Sequence, residues 1–336
     1  DKTHLYYEYD QNNIGPDHVP LDVFGIQQEF LFPTVYFAGK QVNRKSYDLA
    51  TSNYEIRKKA LERVLTATYY EYRYAVEKEA IYSQLDSLYA DFSTKAARRF
   101  ELGETTYLEK ITALSKQRQI TVQLKKAQKD VDIAFSGIVK LVQSAEPLEI
   151  ALDPIQKVPL KTDPISGIPE LDHYVKRISL ADASRSLEKQ SLLPNITLNY
   201  FQETNSGLDN HLYGYQVGLK IPLIFSGQTS RIKASKIASD IAEEESVEYR
   251  IQLDARLREL QNELTKYGQA LAYYEEEGTT LSEEILKTAN GSFKNGEIDF
   301  YRYILSLENA YQIRLEYLDN LNLYNQTVIK INYITL

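Results

Sequence analysis

Proline is distributed so that two stretches of nearly equal length contain none. Pro33 is followed by 113 proline-free residues up to Pro147, and Pro222 by 114 to the last residue. A proline inside a helix removes a hydrogen bond and clashes with the preceding turn, so both stretches are free to form very long helices. Five of the ten prolines crowd between them, at Pro147, Pro154, Pro159, Pro164 and Pro169. An extended linker is expected there.

The two halves are copies of one unit. Phe24-Gly25-Ile26-Gln27, followed by Pro33, matches Tyr213-Gly214-Tyr215-Gln216, followed by Pro222, at an offset of 189. Phe100-Glu101-Leu102-Gly103-Glu104 matches Phe293-Lys294-Asn295-Gly296-Glu297 at an offset of 193, as Leu5 and Tyr7 match Leu198 and Tyr200. An internal repeat sets the architecture before any local reading does. The expected division is repeat 1 over residues 1–145, with strands in 3–32 and a helical hairpin over 34–145; a linker over 146–169; and repeat 2 over 170–336. Repeat 2 has a leading helix at 170–192, strands in 195–223 and a hairpin over 226–334. The counterpart of the leading helix is expected upstream of residue 1.

Between the linker and the long stretches the side chains alternate with the period of a strand. From 212 to 221, Tyr213, Tyr215, Val217, Leu219 and Ile221 share one face, and Leu212, Gly214, Gln216, Gly218 and Lys220 the other. Phe24, Ile26, Phe30 and Phe32 repeat the apolar face in the first copy, with Gln28 the exception, opposite Gly25, Gln27 and Glu29. Leu5, Tyr7 and Tyr9, and Ile196, Leu198 and Tyr200, supply the partners, with turns expected at Gln11–Pro20 and Thr204–Asn210. Alternation alone fits a soluble sandwich with one wet face. An aromatic, Tyr-rich face on strands of about ten residues fits a membrane barrel. Four strands are too few to close such a barrel, for which about eight is the minimum. The chain is therefore expected to add its strands to a barrel shared between copies, with Phe24, Ile26, Phe30, Tyr213, Tyr215, Val217 and Leu219 on the outer face.

Leu61, Val64, Leu65, Tyr69, Tyr72 and Val76 follow helical steps of three and four. A continuous helix from Gly39 to Gly103 would run about 95 Å at the helical rise. A return helix is expected from about Tyr107 to Val142. Ile304, Leu307, Tyr311, Leu315, Leu318, Leu321, Tyr324, Val328 and Ile331 form a coiled-coil-like seam at the C-terminus. Glycine just past a helix end and a following cap residue mark the hairpin turns at Leu102-Gly103-Glu104-Thr105 and Asn295-Gly296-Glu297-Ile298-Asp299, with Thr105 or Asp299 as the expected cap.

Composition removes several function classes. The net charge of −8 gives no general attraction to nucleic acid. With no cysteine there is no disulfide, thiolate nucleophile or Cys-based metal site. Four scattered histidines, His4, His18, His173 and His211, form no soft-metal set. No G-x-S-x-G, phosphate loop or His–carboxylate cluster is present, so no enzyme and no cofactor is expected. Glu243-Glu244-Glu245 and Glu275-Glu276-Glu277 read as solvated helix faces. No apolar run reaches about 18 residues, so a membrane could be crossed only by a closed barrel. With no methionine, even at position 1, the chain is expected to start inside a longer gene product, with a signal peptide expected upstream.

Leu193-Pro194-Asn195-Ile196-Thr197-Leu198, Val217-Gly218-Leu219-Lys220-Ile221-Pro222 with Phe225-Ser226-Gly227, and Gly296-Glu297-Ile298-Asp299 leading to Arg314-Leu315-Glu316-Tyr317-Leu318 and Tyr324-Asn325 recur as a set. With the duplication, this resembles the TolC family of outer-membrane efflux proteins over essentially the whole chain. The texture is most like the heavy-metal (CusC and CzcC) branch, some of whose members are fused to their pump. The resemblance implies a mainly helical fold, with a long antiparallel α-helical barrel and four β-strands per chain joining a trimeric twelve-stranded β-barrel. It implies a homotrimer in outer-membrane lipid, reaching into the periplasm, as the passive exit duct of a tripartite system exporting metal cations or small toxic compounds. It also implies docking to a periplasmic adaptor (a membrane fusion protein) and an inner-membrane RND transporter, through tips at Leu102, Gly103, Glu104, Thr105, Asn295, Gly296, Glu297 and Ile298. The family's acidic gate position falls on Glu109 in one copy and Arg302 in the other, with Asp299 beside it. Glu109 and Arg302 are expected to face each other at the constriction. The alternatives are a periplasmic adaptor, which would place one hairpin inside a split β domain, and a coiled-coil scaffold, which would not need alternating aromatic strands.

Overall fold

The computed structural model describes residues 3–11, 20–144, 146–151, 153–161, 167–205, 211–221 and 226–334. Most of both expected strand turns, with His18, Pro164, Pro222 and Phe225, lies outside them. The order is β1 (Thr3–Asp10), β2 (Leu21–Phe30), α1 (Pro33–Glu101), α2 (Tyr107–Val142), α3 (Pro169–Gln190), β3 (Asn195–Asn205), β4 (His211–Lys220), α4 (Ser226–Tyr273), a π-helical turn (Tyr274–Gly278), α5 (Thr279–Lys294) and α6 (Phe300–Asn332). Pro33 and Pro169 each open a helix, where proline's missing N–H is no loss. Among the described residues, no helix is long and apolar enough to cross a membrane.

Contacts divide the chain into two compact units that cut across the repeat. One comprises residues 1–55 and 169–250, the other 56–168 and 251–336. In the first, the strands form one antiparallel sheet in the order β1-β2-β3-β4. The sequence pairs β1 with β2 and β3 with β4; the structure adds a β2–β3 ladder from Leu21↔Asn205 to Phe30↔Ile196 that joins the two copies. The register also corrects the alignment of the first strands. Gly25 lies opposite Tyr6, and its counterpart Gly214 lies opposite Phe201. Tyr6 thus corresponds to Phe201, two residues beyond the offset that aligned Leu5 with Leu198. A slip of two keeps every side chain on its face, which is why the sequence pattern survived the error. Phe32 and Ile221 fall just past their strands.

Also in this unit, α3 is bonded to both long helices. Ser52 on α1 contacts His173 at 3.1 Å, Ser239 on α4 donates to Asp182 at 2.6 Å, and the Gln228 amide donates to Glu188 at 2.9 Å. Tyr174 packs on Tyr249 with ring centroids 4.8 Å apart.

The second unit holds the larger core. Leu85, Tyr89 and Phe92 of α1 pack with Ala289 of α5 and Tyr303, Ile304 and Leu307 of α6. Helix α2 buries Ala113, Ala127 and Ala134, seven or fourteen residues apart, as a small-residue seam. Such a heptad spacing keeps one line of contact along a neighbouring helix. The linker is not a free connection. Ile155 is buried with Leu271, Leu318 and Leu321, and Val158 with Val328 and Ile329. The Arg73 guanidinium donates to the carbonyls of Asp153 and Pro154, and Glu77 accepts from the Ile155 N–H at 2.5 Å. Side chains satisfy this backbone in place of a sheet partner, which suits a segment interrupted by prolines.

Candidate functional site: the helical turns and the sheet face

The two turns assigned as tips have one geometry. After α1, Gly103 has φ +73°, its N–H bonds to the Phe100 carbonyl at 3.0 Å, and the Glu104 N–H bonds to the Arg99 carbonyl at 2.8 Å. After α5, Gly296 has φ +74°, its N–H bonds to Phe293 at 3.2 Å, and the Glu297 N–H bonds to Ser292 at 2.8 Å. Both are Schellman caps, with glycine in the left-handed region that other residues enter only at a cost.

Each return helix then opens on a capping side chain. Thr106 accepts from the Glu109 N–H at 3.2 Å and Asp299 from the Arg302 N–H at 2.8 Å. The first of these corrects the sequence reading, which offered Thr105. The Thr105 hydroxyl instead donates to the Glu109 carboxylate. Thr106 and Asp299 stand 193 residues apart, so register within the repeat was the signal that identifies the cap.

The acidic residues of both turns fold back onto the helix just ended. Glu104 lies 3.7 Å from Arg99, while Glu297 accepts from the Ser292 hydroxyl at 2.8 Å and the Asn295 amide at 3.3 Å. Both members of the Arg99–Glu104 pair are exposed, so it contributes less than about 1 kcal/mol. Leu102 is 64% exposed, and Leu108 and Tyr301, equivalent positions in the first turns of α2 and α6, are 71% and 69% exposed.

Behind the turns, Phe92, Phe293, Phe300 and Tyr303 form an aromatic cluster, with Phe92 and Tyr303 centroids 4.8 Å apart and Phe293 and Tyr303 4.6 Å apart. In the first copy, Phe100 and Tyr107 meet edge to face at 5.7 Å, and Lys110 stands at the position of Tyr303, with its ammonium 4.9 Å from the Phe100 ring. A cavity of about 230 Å³ opens beside the cluster, lined by Phe92, Leu102, Phe293 and Phe300 and rimmed by Arg99 and Glu109. Glu109 is therefore drawn toward Thr105 and this cavity. Arg302 does not line it. Among the described residues the chain forms no Glu109–Arg302 ion pair.

The sheet presents the second candidate surface. Tyr215 is 82% exposed and Val217 73%, and Phe24, Ile26, Phe30, Tyr213 and Leu219 are exposed with them. Register places Leu5, Ile26, Tyr200 and Tyr215 in one row across all four strands. Toward the turn-bearing ends this face becomes polar: Tyr7 donates to Asp22, and Thr204 contacts His211 at 3.2 Å. The opposite face carries hydrogen-bonded polar groups. Asn195 donates to Glu29 at 2.6 Å, Lys220 lies 3.3 Å from Glu29, and the Asn199 amide donates to the Tyr6 hydroxyl at 3.0 Å. Strands β1 and β4 are the sheet edges, each paired on one side within the chain.

No family model matches the sequence, and no curated protein matches it. Solved structures do match its backbone. A membrane protein from Pseudomonas aeruginosa is 13% identical with a TM-score of 0.80, over 99% of this chain and 83% of that one. CusC, described for its folding and transmembrane channel formation, is 14% identical with a TM-score of 0.80, over 99% and 81%. The CmeC outer membrane channel of Campylobacter jejuni is 11% identical with a TM-score of 0.77, over 99% and 76%. This chain shares the fold of all three, which include a described outer membrane channel and a protein described for its transmembrane channel formation. The equal scores of CusC and the Pseudomonas protein do not single out a heavy-metal branch.

Proposed function

We propose that the chain is one protomer of a homotrimeric outer-membrane duct, through which a tripartite efflux system exports small toxic compounds or metal cations. One observation carries this reading. A four-stranded sheet exposes a face that is aromatic and aliphatic over most of its rows, from Phe24 and Tyr213 to Phe30 and Leu219, while both its edges remain open. In water that face and those edges invite aggregation. Three copies joined β4 to β1 would close twelve strands, remove every edge and turn the apolar face to lipid, the condition for a β structure to span a membrane.

The turns at Leu102–Thr105 and Asn295–Ile298 are then the docking surface for the helical hairpin of a periplasmic adaptor, and an RND transporter supplies energy and selectivity. Glu109, Asp299 and Arg302 are the gate, with Glu109 of one repeat meeting Arg302 of another in the assembled ring. The single reversal Glu109→Arg should change the conductance, and adding Arg302→Glu should restore it. A reversal without effect on the conductance removes these residues from the gate.

The experiment for the duct is planar-bilayer recording on purified protein together with its mass by light scattering. Discrete steps from a particle of three chains are expected. A soluble monomer without conductance would move the adaptor or scaffold reading to the front.

A further inference from the structure

We infer that six aromatic rings lying flat on six glycines set the bore of the barrel. The inference rests on the duct reading, because only in a closed barrel does the polar face of the sheet line a passage. On that face, register aligns Tyr6, Gly25, Phe201 and Gly214 across β1, β2, β3 and β4. Large and small alternate along the row. A Cβ placed on Gly25 would fall within the Tyr6 ring, and one on Gly214 within the Phe201 ring, both far inside van der Waals contact. The rings therefore occupy the space directly above the glycine backbone and do not stand off the sheet.

The hydroxyl of Tyr6 confirms how far its ring reaches. It accepts from the Asn199 amide at 3.0 Å, on β3, two strands from its own. The side chain thus lies across β2 along the wall. Gly25 is buried beneath it, although it sits on a face that would line open water. Both rings lean the same way, from β1 onto β2 and from β3 onto β4. Three copies continue the series without conflict, since each glycine receives one ring.

The physical consequence follows from the glycines. With any side chain at 25 or 214, the ring beside it must rotate off the wall. The glycine on its other flank already carries a ring, so the displaced one projects into the lumen. A projecting ring repeated three times narrows the passage and makes a steric filter of a smooth one. Glycine weakens a strand interior, and here the absence of a side chain gives the neighbouring aromatic its place. The positions determine what size of solute the barrel passes.

The test is the polymer cutoff of reconstituted trimers in planar bilayers, read with a graded series of poly(ethylene glycols) added at the barrel mouth. Gly25→Ala should shift the cutoff to a smaller polymer, and Tyr6→Ala/Gly25→Ala should restore the wild-type value, because it removes the displaced ring. Tyr6→Ala alone should leave the cutoff within one polymer step of wild type, and this variant adds no atom that could block assembly. A conducting Gly25→Ala trimer with an unchanged cutoff, or a Tyr6→Ala trimer wider by several steps, would overturn the belt. A wild-type protein without discrete channel steps would sink the duct reading, and the belt with it.

Discussion

Asn325 and Asn332 stand seven residues apart on α6, and each holds both a carbonyl and an N–H of the strap formed by residues 153–161. Asn325 accepts from the Val158 N–H at 2.8 Å and donates to the Gln156 carbonyl at 2.9 Å; Asn332 accepts from the Lys161 N–H at 2.8 Å and donates to the Pro159 carbonyl at 2.9 Å. Seven helical residues rise about 10.5 Å. Three extended residues span about 10 Å. The two spacings match, so the asparagines read the strap as a ladder with a step of three.

Replacing Asn325 by alanine leaves a buried N–H and C=O without partners, at about 1–3 kcal/mol each. Asn325 is fully buried and Asn332 nearly so. Both variants should lower the urea midpoint, Asn325→Ala more. Hydrogen exchange should accelerate at Val158 in the first and at Lys161 in the second. Uniform acceleration along the strap in both would show that it is held by Ile155 and Val158 alone.

The caps at the helical turns discriminate between neighbouring threonines. Thr106→Ala removes the acceptor for the Glu109 N–H and should destabilise α2 by about 1 kcal/mol. Thr105→Ala removes a side-chain contact between exposed or half-exposed groups and should be close to neutral. Gly103→Ala forces a Cβ into the left-handed region at an expected loss of about 1 kcal/mol. Thermal unfolding of the three variants ranks them. A larger loss for Thr105→Ala than for Thr106→Ala would reverse the assignment of the cap.

Much of the fold was legible because it rests on residues with few alternatives. Prolines bound the long helices, and glycines at 103 and 296 end them, since only glycine enters that conformation cheaply. What was not legible depends on partners distant in sequence. Asn325 and Asn332 lie outside the apolar seam of α6, yet they are buried, because their partners lie in the linker. The heptad alanines of α2 were silent, since an alanine carries no sign of burial. The π-helical turn at Tyr274–Gly278 was hidden beneath a run of glutamates that looked uniformly solvated. They are exposed, but Glu275 binds Lys157 at 2.7 Å, and the Tyr274 hydroxyl donates to Glu316 at 2.8 Å, with burial and that carboxylate pushing its pKa up to about 12. Glu109 and Arg302 were singled out by the family resemblance alone, and within the chain Glu109 is bonded to Thr105.

Between α1 and α6, Tyr74, Lys78 and Asp319 form a half-buried triad. The Tyr74 hydroxyl donates to Asp319 at 2.6 Å, and the Lys78 ammonium donates to Tyr74 at 2.5 Å and to Asp319 at 3.1 Å. Burial, with Asp319, raises the tyrosine pKa to about 12. Burial opposes the charge on Lys78, and its two hydrogen bonds outweigh that, holding the ammonium above its usual range. Tyr74→Phe keeps the ion pair and should be mild, at about 1 kcal/mol. Asp319→Asn leaves the ammonium without its counter-ion and should be the more damaging. Chemical denaturation of both variants and the double variant measures the coupling. Strictly additive effects would show that the three groups do not act together.

His173 should make the first unit weaker in acid. Its ring contacts the Ser52 hydroxyl, which itself donates to the Leu49 carbonyl at 2.8 Å. The single hydroxyl proton is thereby used, so Nδ1–H of the imidazole donates to Ser52 and Nε2 is the site left for an added proton. Burial first, then the cations Arg177 and Lys176 against the opposing Asp172, hold the pKa of His173 below its ordinary 6.5. The unfolded chain takes up this proton first as pH falls, so stability begins to drop near pH 6.5 and continues to drop until the folded pKa is passed. Above that window both states are neutral at this position and His173 contributes no slope. His173→Asn keeps a donor near Ser52 and cannot titrate. Its unfolding temperature should therefore fall less than the wild type's between pH 7.5 and 5.5, while the two show parallel behaviour from pH 7.5 to 8.5. A wild-type protein that loses no more stability than His173→Asn over the acid range would show that the proton finds a compensating partner in the folded state.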